Sequence, residues 1–143
     1  MKPRCYFVTG TDTGVGKTQV TAALLLAAQA HGLRGLGLKP VAAGCARADG
    51  RLVNEDALLL QHCSSLRDEY AAINPVALEA AIAPHIAAGQ AGVVLSAAAL
   101  AAQVRGQAAS GAEALLVEGA GGWLVPLNES ETMADLAVAL GYP

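Results

Sequence analysis

At 143 residues the chain can form one domain with a proper core. With 54% hydrophobic but only 3% aromatic residues, that core must be built mostly from Ala, Leu and Val. A net charge of −3 without any basic run excludes a protein that grips nucleic acid through its phosphate backbone alone. Cys5, Cys45 and Cys63 are odd in number and widely spaced, with no CxxC pair, which argues against a disulfide framework or a zinc site. A reducing, cytoplasmic setting is expected. Lys2 and Arg4 precede only the short apolar run "CYFV", too brief for an export signal.

In chain order, "CYFV" followed by Thr-Gly has the form of a buried strand feeding a loop. Residues 17–31 are helical in pattern and rich in Ala and Leu, and Gly32 is a fitting stop. "GLGLK" returns to a strand that ends at Lys39-Pro40. Asn54 caps a helix through "EDALLLQHC". Residues 80–104 carry no formal charge, but they are mostly alanine and are broken by Pro84-His85 and by "GQAG". They read as two helical pieces around a loop rather than a membrane span. Ser96 caps the second piece, through "AAALAAQVRGQAA", with Gly111 beyond its end. "ALLVE" is a third strand, residues 130–140 a last helix. Alternating strands and helices imply crossover connections, hence a parallel sheet covered on both faces. Ligands of such sheets gather outside the carboxyl ends of the strands. The loops after Val8, Leu38 and Val117 are therefore the ones to read.

The first loop, "TGTDTGVGKT", carries a phosphate-binding signal with one irregularity. In the usual spacing, Gly-x-x-x-x-Gly-Lys-Ser/Thr, Thr11 stands where the first glycine belongs, and Gly10 comes one place early. Gly14 and Gly16 allow successive amides to turn inward as an anion-binding nest at the start of a helix. Lys17 can reach terminal phosphates and the Thr18 hydroxyl can hold Mg²⁺. A chance glycine-rich turn is the bland alternative, but the strand before and the helix after favour phosphate binding.

In the second loop, Pro40 holds Lys39 extended at the strand's end. A lysine there is commonly just solvated, and its place beside a phosphate loop is what makes it a candidate. Asp56, in the first turn of the next helix, is either a carboxylate favoured by the helix dipole or a second anchor for Mg²⁺. The third loop, "VEGAGGW", begins with Glu118 on the end of an apolar strand, where a P-loop enzyme keeps its metal-organising acid. Gly119, Gly121 and Gly122 permit close approach of backbone to a ligand. His85 reads as a loop residue, Trp123 as packing beneath the glycines.

Together, "TGTDTGVGKT", "KPVAAG", "NEDA", "NP" with "APHIAA" downstream, and "VEGAGGWLVPL" resemble the dethiobiotin synthetase family, in order along nearly the whole chain. The resemblance implies a Rossmann-like P-loop α/β fold in a single domain, working as a cytoplasmic homodimer with ATP and Mg²⁺. It implies a reaction that joins CO₂ to 7,8-diaminononanoate and closes a cyclic urea. Carried onto matching positions, Gly14, Val15, Gly16, Lys17, Thr18 and Gln19 would cradle ATP. Asp56, Glu118, Gly119, Ala120 and Gly121 would line the nucleotide side as well. Thr18, Asp56 and Glu118 would organise Mg²⁺. Lys39, with Lys17 beside it, would be catalytic, and Thr13 and Ala43 would border the diamine. The position of Ala43 is often a hydroxyl residue in this family, and alanine keeps the shape while losing a hydrogen bond. The family's chains also continue well past the length seen here, so an amino-terminal portion of the enzyme is expected. Two other readings stay open: an amide-forming P-loop synthetase of the cobyrinic-acid amidotransferase type, and a non-catalytic nucleotide-binding module.

Overall fold

The computed structural model describes residues 2–66, 68–108 and 110–143. Its centre is a parallel sheet in the order β1-β7-β2, formed by Arg4–Val8, Ala114–Glu118 and Gly35–Leu38. The last strand in sequence thus lies between the first two, and every residue of it is buried. Its alternation sorts the core. Leu115 and Val117 join Leu36 and Leu38 on one face, while Leu116 joins Leu25 and Leu60 on the other.

Helices α1 (Lys17–Ala30) and α2 (Glu55–Cys63) cover the face of Leu116. The sequence "GLGL" suits this arrangement because both glycines of β2 lie under α1. A Cβ on Gly37 would stand 2.8 Å from Leu25 Cδ1 and 3.2 Å from Leu60 Cβ, so only glycine lets the two helices approach. Helices α5 (Ala97–Ala108) and α6 (Met133–Leu140) pack against each other and supply Leu100, Val104, Leu136 and Leu140 to the larger core opposite.

Most local readings hold. The Asn54 side chain accepts from the Ala57 amide at 3.1 Å and starts α2, and Ser96 Oγ accepts from the Ala99 amide at 3.1 Å and starts α5. The expected extension of α5 to Ala109 lies outside the described residues. Residues 80–104 do form two helices, with α4 spanning Pro84–Ala91. The last helix, however, begins at Met133 rather than residue 130. Asn128 Oδ1 accepts from the amides of Ser130 and Glu131, at 2.9 Å each, and ties them into a turn instead. His85 is not in a loop. Pro84 occupies the first turn of α4, where its missing N–H costs nothing, and His85 follows within the helix.

Several short elements were not anticipated. A hairpin joins β4 (Ala46–Ala48) to β5 (Arg51–Val53) through Asp49-Gly50, both with positive φ, 49° and 77°. That is the geometry in which a two-residue Asp-Gly turn matches strand twist. Strands β3 (Val41–Ala42) and β6 (Val76–Ala77) pair in parallel, and α3 (Tyr70–Ile73) precedes β6. Among the described residues, no helix is long and apolar enough to cross a membrane.

Candidate functional site

The loops after β1, β2 and β7 meet at one end of the sheet, because parallel strands all deliver their carboxyl ends there. The first of them leads into α1 through Gly16, at φ 107°, and no side chain caps the helix. Its first amides are thus left to a ligand. Lys17 folds back over this loop and its Nζ donates to the Asp12 carbonyl at 2.7 Å.

The early glycine now has a physical reason. A Cβ on Gly10 would lie 2.8 Å from Val15 Cγ2 and 3.2 Å from Lys17 Cγ, so the loop closes over Gly10 itself. The glycines after β7 close on the same segment. A Cβ on Gly122 would stand 2.6 Å from the Thr11 carbonyl oxygen, and the Trp123 amide donates to the Gly10 carbonyl at 3.0 Å. Trp123 packs on Phe7, the ring that Gly119 meets. It is 42% exposed and meets the Phe7 ring edge-on, with centroids 6.4 Å apart.

Two groups converge on one carboxylate oxygen. Lys39 Nζ lies 2.8 Å from Glu118 Oε1, and the Thr18 hydroxyl donates to the same atom at 2.8 Å. Asp56 Oδ2 stands 3.4 Å from Lys39 Nζ on its other side. Lys39 is 5% exposed and Glu118 1%, so neither charge could be tolerated there without the other. Glu118 Oε2 is buried and has no hydrogen-bond partner among the described residues.

Two cavities adjoin this cluster. One, of about 330 Å³, is lined by Gly14, Gly16, Lys17, Thr18 and Gln19 of the first loop. The other, of about 490 Å³, is lined by Ala42, Ala43, Ile82, Pro84, Ala120 and Val125 among others. Thr13, Lys39, Asp56 and Gly121 border both. Gly119 borders neither: its α-carbon faces the Phe7 ring and Met133, where a Cβ would come within 3.2 Å of each. Val15 is exposed and also lies outside both. Burial pushes the nearby Cys45 thiol up, and neither its Leu78 backbone bond nor the charge of Lys39 offsets this. Cys45 therefore stays a thiol.

Sequence reasoning missed Asn74 and Tyr70, which hold the Lys39 loop from behind. The Asn74 side-chain amide donates to the Lys39 carbonyl at 2.8 Å, and the Tyr70 hydroxyl donates to Asn74 Oδ1 at 2.9 Å. Only the Asn-Pro pair at 74–75 hinted at a constrained turn.

A parallel sheet with a glycine loop, a lysine and a hydroxyl at the start of the first helix, and an acid on the central strand defines a P-loop nucleotide-binding protein. The chain belongs to the AAA domain family, whose pattern matches residues 4–143. Within curated proteins it is similar to the ATP-dependent dethiobiotin synthetase BioD of Cellvibrio japonicus, at 57% identity over 143 residues, all of this chain and 62% of that one. The enzyme of the same name from Marinobacter nauticus is 52% identical over 143 residues, all of this chain and 61% of the relative. That of Pseudomonas paraeruginosa is 53% identical over 138 residues, 96% of this chain and 60% of the relative. The chain thus spans about three fifths of the length of these relatives.

Proposed function

We propose that this chain carries the phosphate- and carbamate-handling part of an ATP-dependent dethiobiotin synthetase, closing the cyclic urea of dethiobiotin from 7,8-diaminononanoate and CO₂. One observation carries the reading: Lys39 stands where the P-loop cavity, with its lysine, hydroxyl and carboxylates, meets a second, more apolar one. The first suits a triphosphate. The second, walled by Ala43, Ile82 and Val125, suits an aliphatic diamine.

In this reading Gly14, Gly16, Lys17 and Thr18 bind the phosphates of ATP through amides, ammonium and hydroxyl. One amine of the diamine adds to CO₂ and loses a proton, giving a carbamate whose anionic oxygen lies beside Lys39. That oxygen attacks the γ-phosphorus as the bond to the ADP oxygen breaks, with Lys17 and Lys39 compensating charge on either side. The second amine then attacks the carbonyl carbon of the mixed anhydride. Phosphate leaves with the electron pair, and a proton is lost as the ring closes.

The donor set also fits Mg²⁺, a hard cation that keeps several waters and shares phosphate oxygens. The Oε2 of Glu118, buried and without a partner among the described residues, fits a cation site, with the Thr18 hydroxyl on the other oxygen of the same carboxylate and the Asp56 carboxylate on Lys39. These three residues would hold the ion, which would supply Lewis-acid stabilisation of phosphate charge. The same reading implies a cytoplasmic homodimer.

The test is made on this chain. Calorimetry measures ATP–Mg²⁺ binding, and a phosphate-release assay is run with and without diamine and bicarbonate. Binding together with release that needs both co-substrates supports the reading. Binding with no such release, or release driven by ammonia and a carboxylic acid, replaces it with a nucleotide-binding module or an amide-forming synthetase.

A further inference from the structure

Lys39 is held at three levels, and only one of them is its own charge. Its amide donates to the Ile73 carbonyl at 2.8 Å, and its carbonyl accepts from Asn74 Nδ2 at 2.8 Å. The end of α3 therefore clamps both backbone groups of this residue. Asn74 is 2% exposed, and its Nδ2 donates also to the Val76 carbonyl at 3.2 Å. Its Oδ1 accepts from the Tyr70 hydroxyl at 2.9 Å, and that hydroxyl in turn accepts from the Asn54 amide at 2.7 Å. Asn54 caps α2, whose first turn carries Asp56, the carboxylate facing Lys39 Nζ.

The direction of this chain is determined by what each group can do. A backbone amide only donates, so the phenol oxygen must accept from Asn54 and spend its single proton on Asn74. That orients the Asn74 side chain, with its NH₂ toward the two carbonyls. Burial pushes the Tyr70 phenol up, outweighing the opposite pull of its Asn54 bond, so the proton stays available to donate. One phenol thus joins the segment that carries the cation to the helix that carries its carboxylate partner.

We propose that Tyr70 and Asn74 are positioning residues that hold the Lys39 ammonium and the Asp56 carboxylate in one fixed relation at the junction of the two cavities. The proposal rests on the reading of Lys39 as the cation beside the carbamate. Neither side chain touches either cavity, so each acts through Lys39 and Asp56. Both are buried, so their bonds are not exchanged for bonds to water without opening the site.

The test needs no substrate, so it stays separate from the proposed reaction. The chain has three lysines, Lys2, Lys17 and Lys39. Trace acylation of the folded protein, read for each lysine by mass spectrometry, reports how firmly each ammonium is held. Tyr70→Phe keeps the buried ring and deletes the hydroxyl, while Asn74→Ala deletes the clamp. Tyr70→Phe removes two hydrogen bonds and Asn74→Ala three, and each should raise the acylation rate of Lys39 roughly three- to tenfold, the equivalent of about one net hydrogen bond transmitted to the ammonium. The ratio of Lys17 to Lys2 should not change. The double variant should do no more than the larger single one, because both act along one path. Should Asn74→Ala fail to fold, Tyr70→Phe decides alone. An unchanged Lys39 rate in folded Tyr70→Phe, a parallel rise at Lys17, or additive effects in the double variant would each overturn the proposal.

Discussion

Lys39 directly follows β2 and Glu118 ends its neighbour β7, and their side chains meet at 2.8 Å although 79 positions separate them in the chain. The pair is buried on both sides, and Thr18 shares the same carboxylate oxygen. Removing one member of such a pair leaves a stranded charge, whereas replacing both with apolar groups does not. Lys39→Ala should therefore lower stability by about 3–5 kcal/mol, and Lys39→Met with Glu118→Leu should recover most of that loss while abolishing phosphate release. Urea unfolding of the three proteins checks it. A double variant no more stable than Lys39→Ala would mean the ion pair itself stabilises the fold.

The two lysines should separate in kinetics, measured on an enzyme active in the assay above. Lys17 lies in the phosphate loop, while Lys39 borders both cavities. Lys39→Ala is expected to cut turnover far more than ATP affinity. Lys17→Ala should weaken ATP binding as well, and calorimetry beside steady-state rates distinguishes the two.

Ala43 borders the second cavity and not the first. A hydroxyl there could make one hydrogen bond to the diamine or its carbamate, worth about 0.5–1.5 kcal/mol. Ala43→Ser should tighten the apparent affinity for diamine by up to about tenfold and leave ATP affinity unchanged. An effect confined to ATP would show that Ala43 does not face the diamine.

Under α1 the limit is steric. A Cβ on Gly37 meets Leu25 Cδ1 at 2.8 Å, whereas one on Gly35 meets its nearest neighbour, Leu25 Cδ2, at 3.2 Å. Gly37→Ala should cost about 1–3 kcal/mol through overpacking, and Gly35→Ala less. Thermal or urea midpoints of the two variants give the order directly.

At the opposite end of the sheet, the Arg34 amide and guanidinium both donate to Glu113, at 3.0 and 3.1 Å. These bonds, the backbone one first, hold the Glu113 carboxyl below its ordinary value. A depressed folded value means that the contribution is fully present above the unfolded value and is lost as pH falls through the folded one. Glu113→Gln should thus be less stable than the parent at neutral pH, with the difference shrinking in acid. Urea midpoints from neutral to about pH 3 test this, and a gap that widened in acid would reverse the assignment.

Much of the molecule was legible in local sequence. Strand Ala114–Glu118, the caps at Asn54 and Ser96, the stop at Gly32 and the amides left open at the start of α1 all follow from rules that act within one helical turn or a few strand residues. The Asp49-Gly50 hairpin is equally local, since the dipeptide and its positive φ values go together. The short pieces around it, two residues in β3 and β6 and four in α3, are below any period that a pattern can reveal. What only the tertiary structure decided is which atoms meet. Gly10 sits where the side chains of Val15 and Lys17 close over it. Ile73 and Asn74 hold the backbone of Lys39 because β2 ends beside α3. Thr18, 100 positions away, donates to Glu118 because β7 inserts between β1 and β2 and brings its carboxyl end beside the phosphate loop. Such contacts depend on strand order. Strand order is chosen by how the whole set of apolar faces packs, a global property that no window of sequence contains.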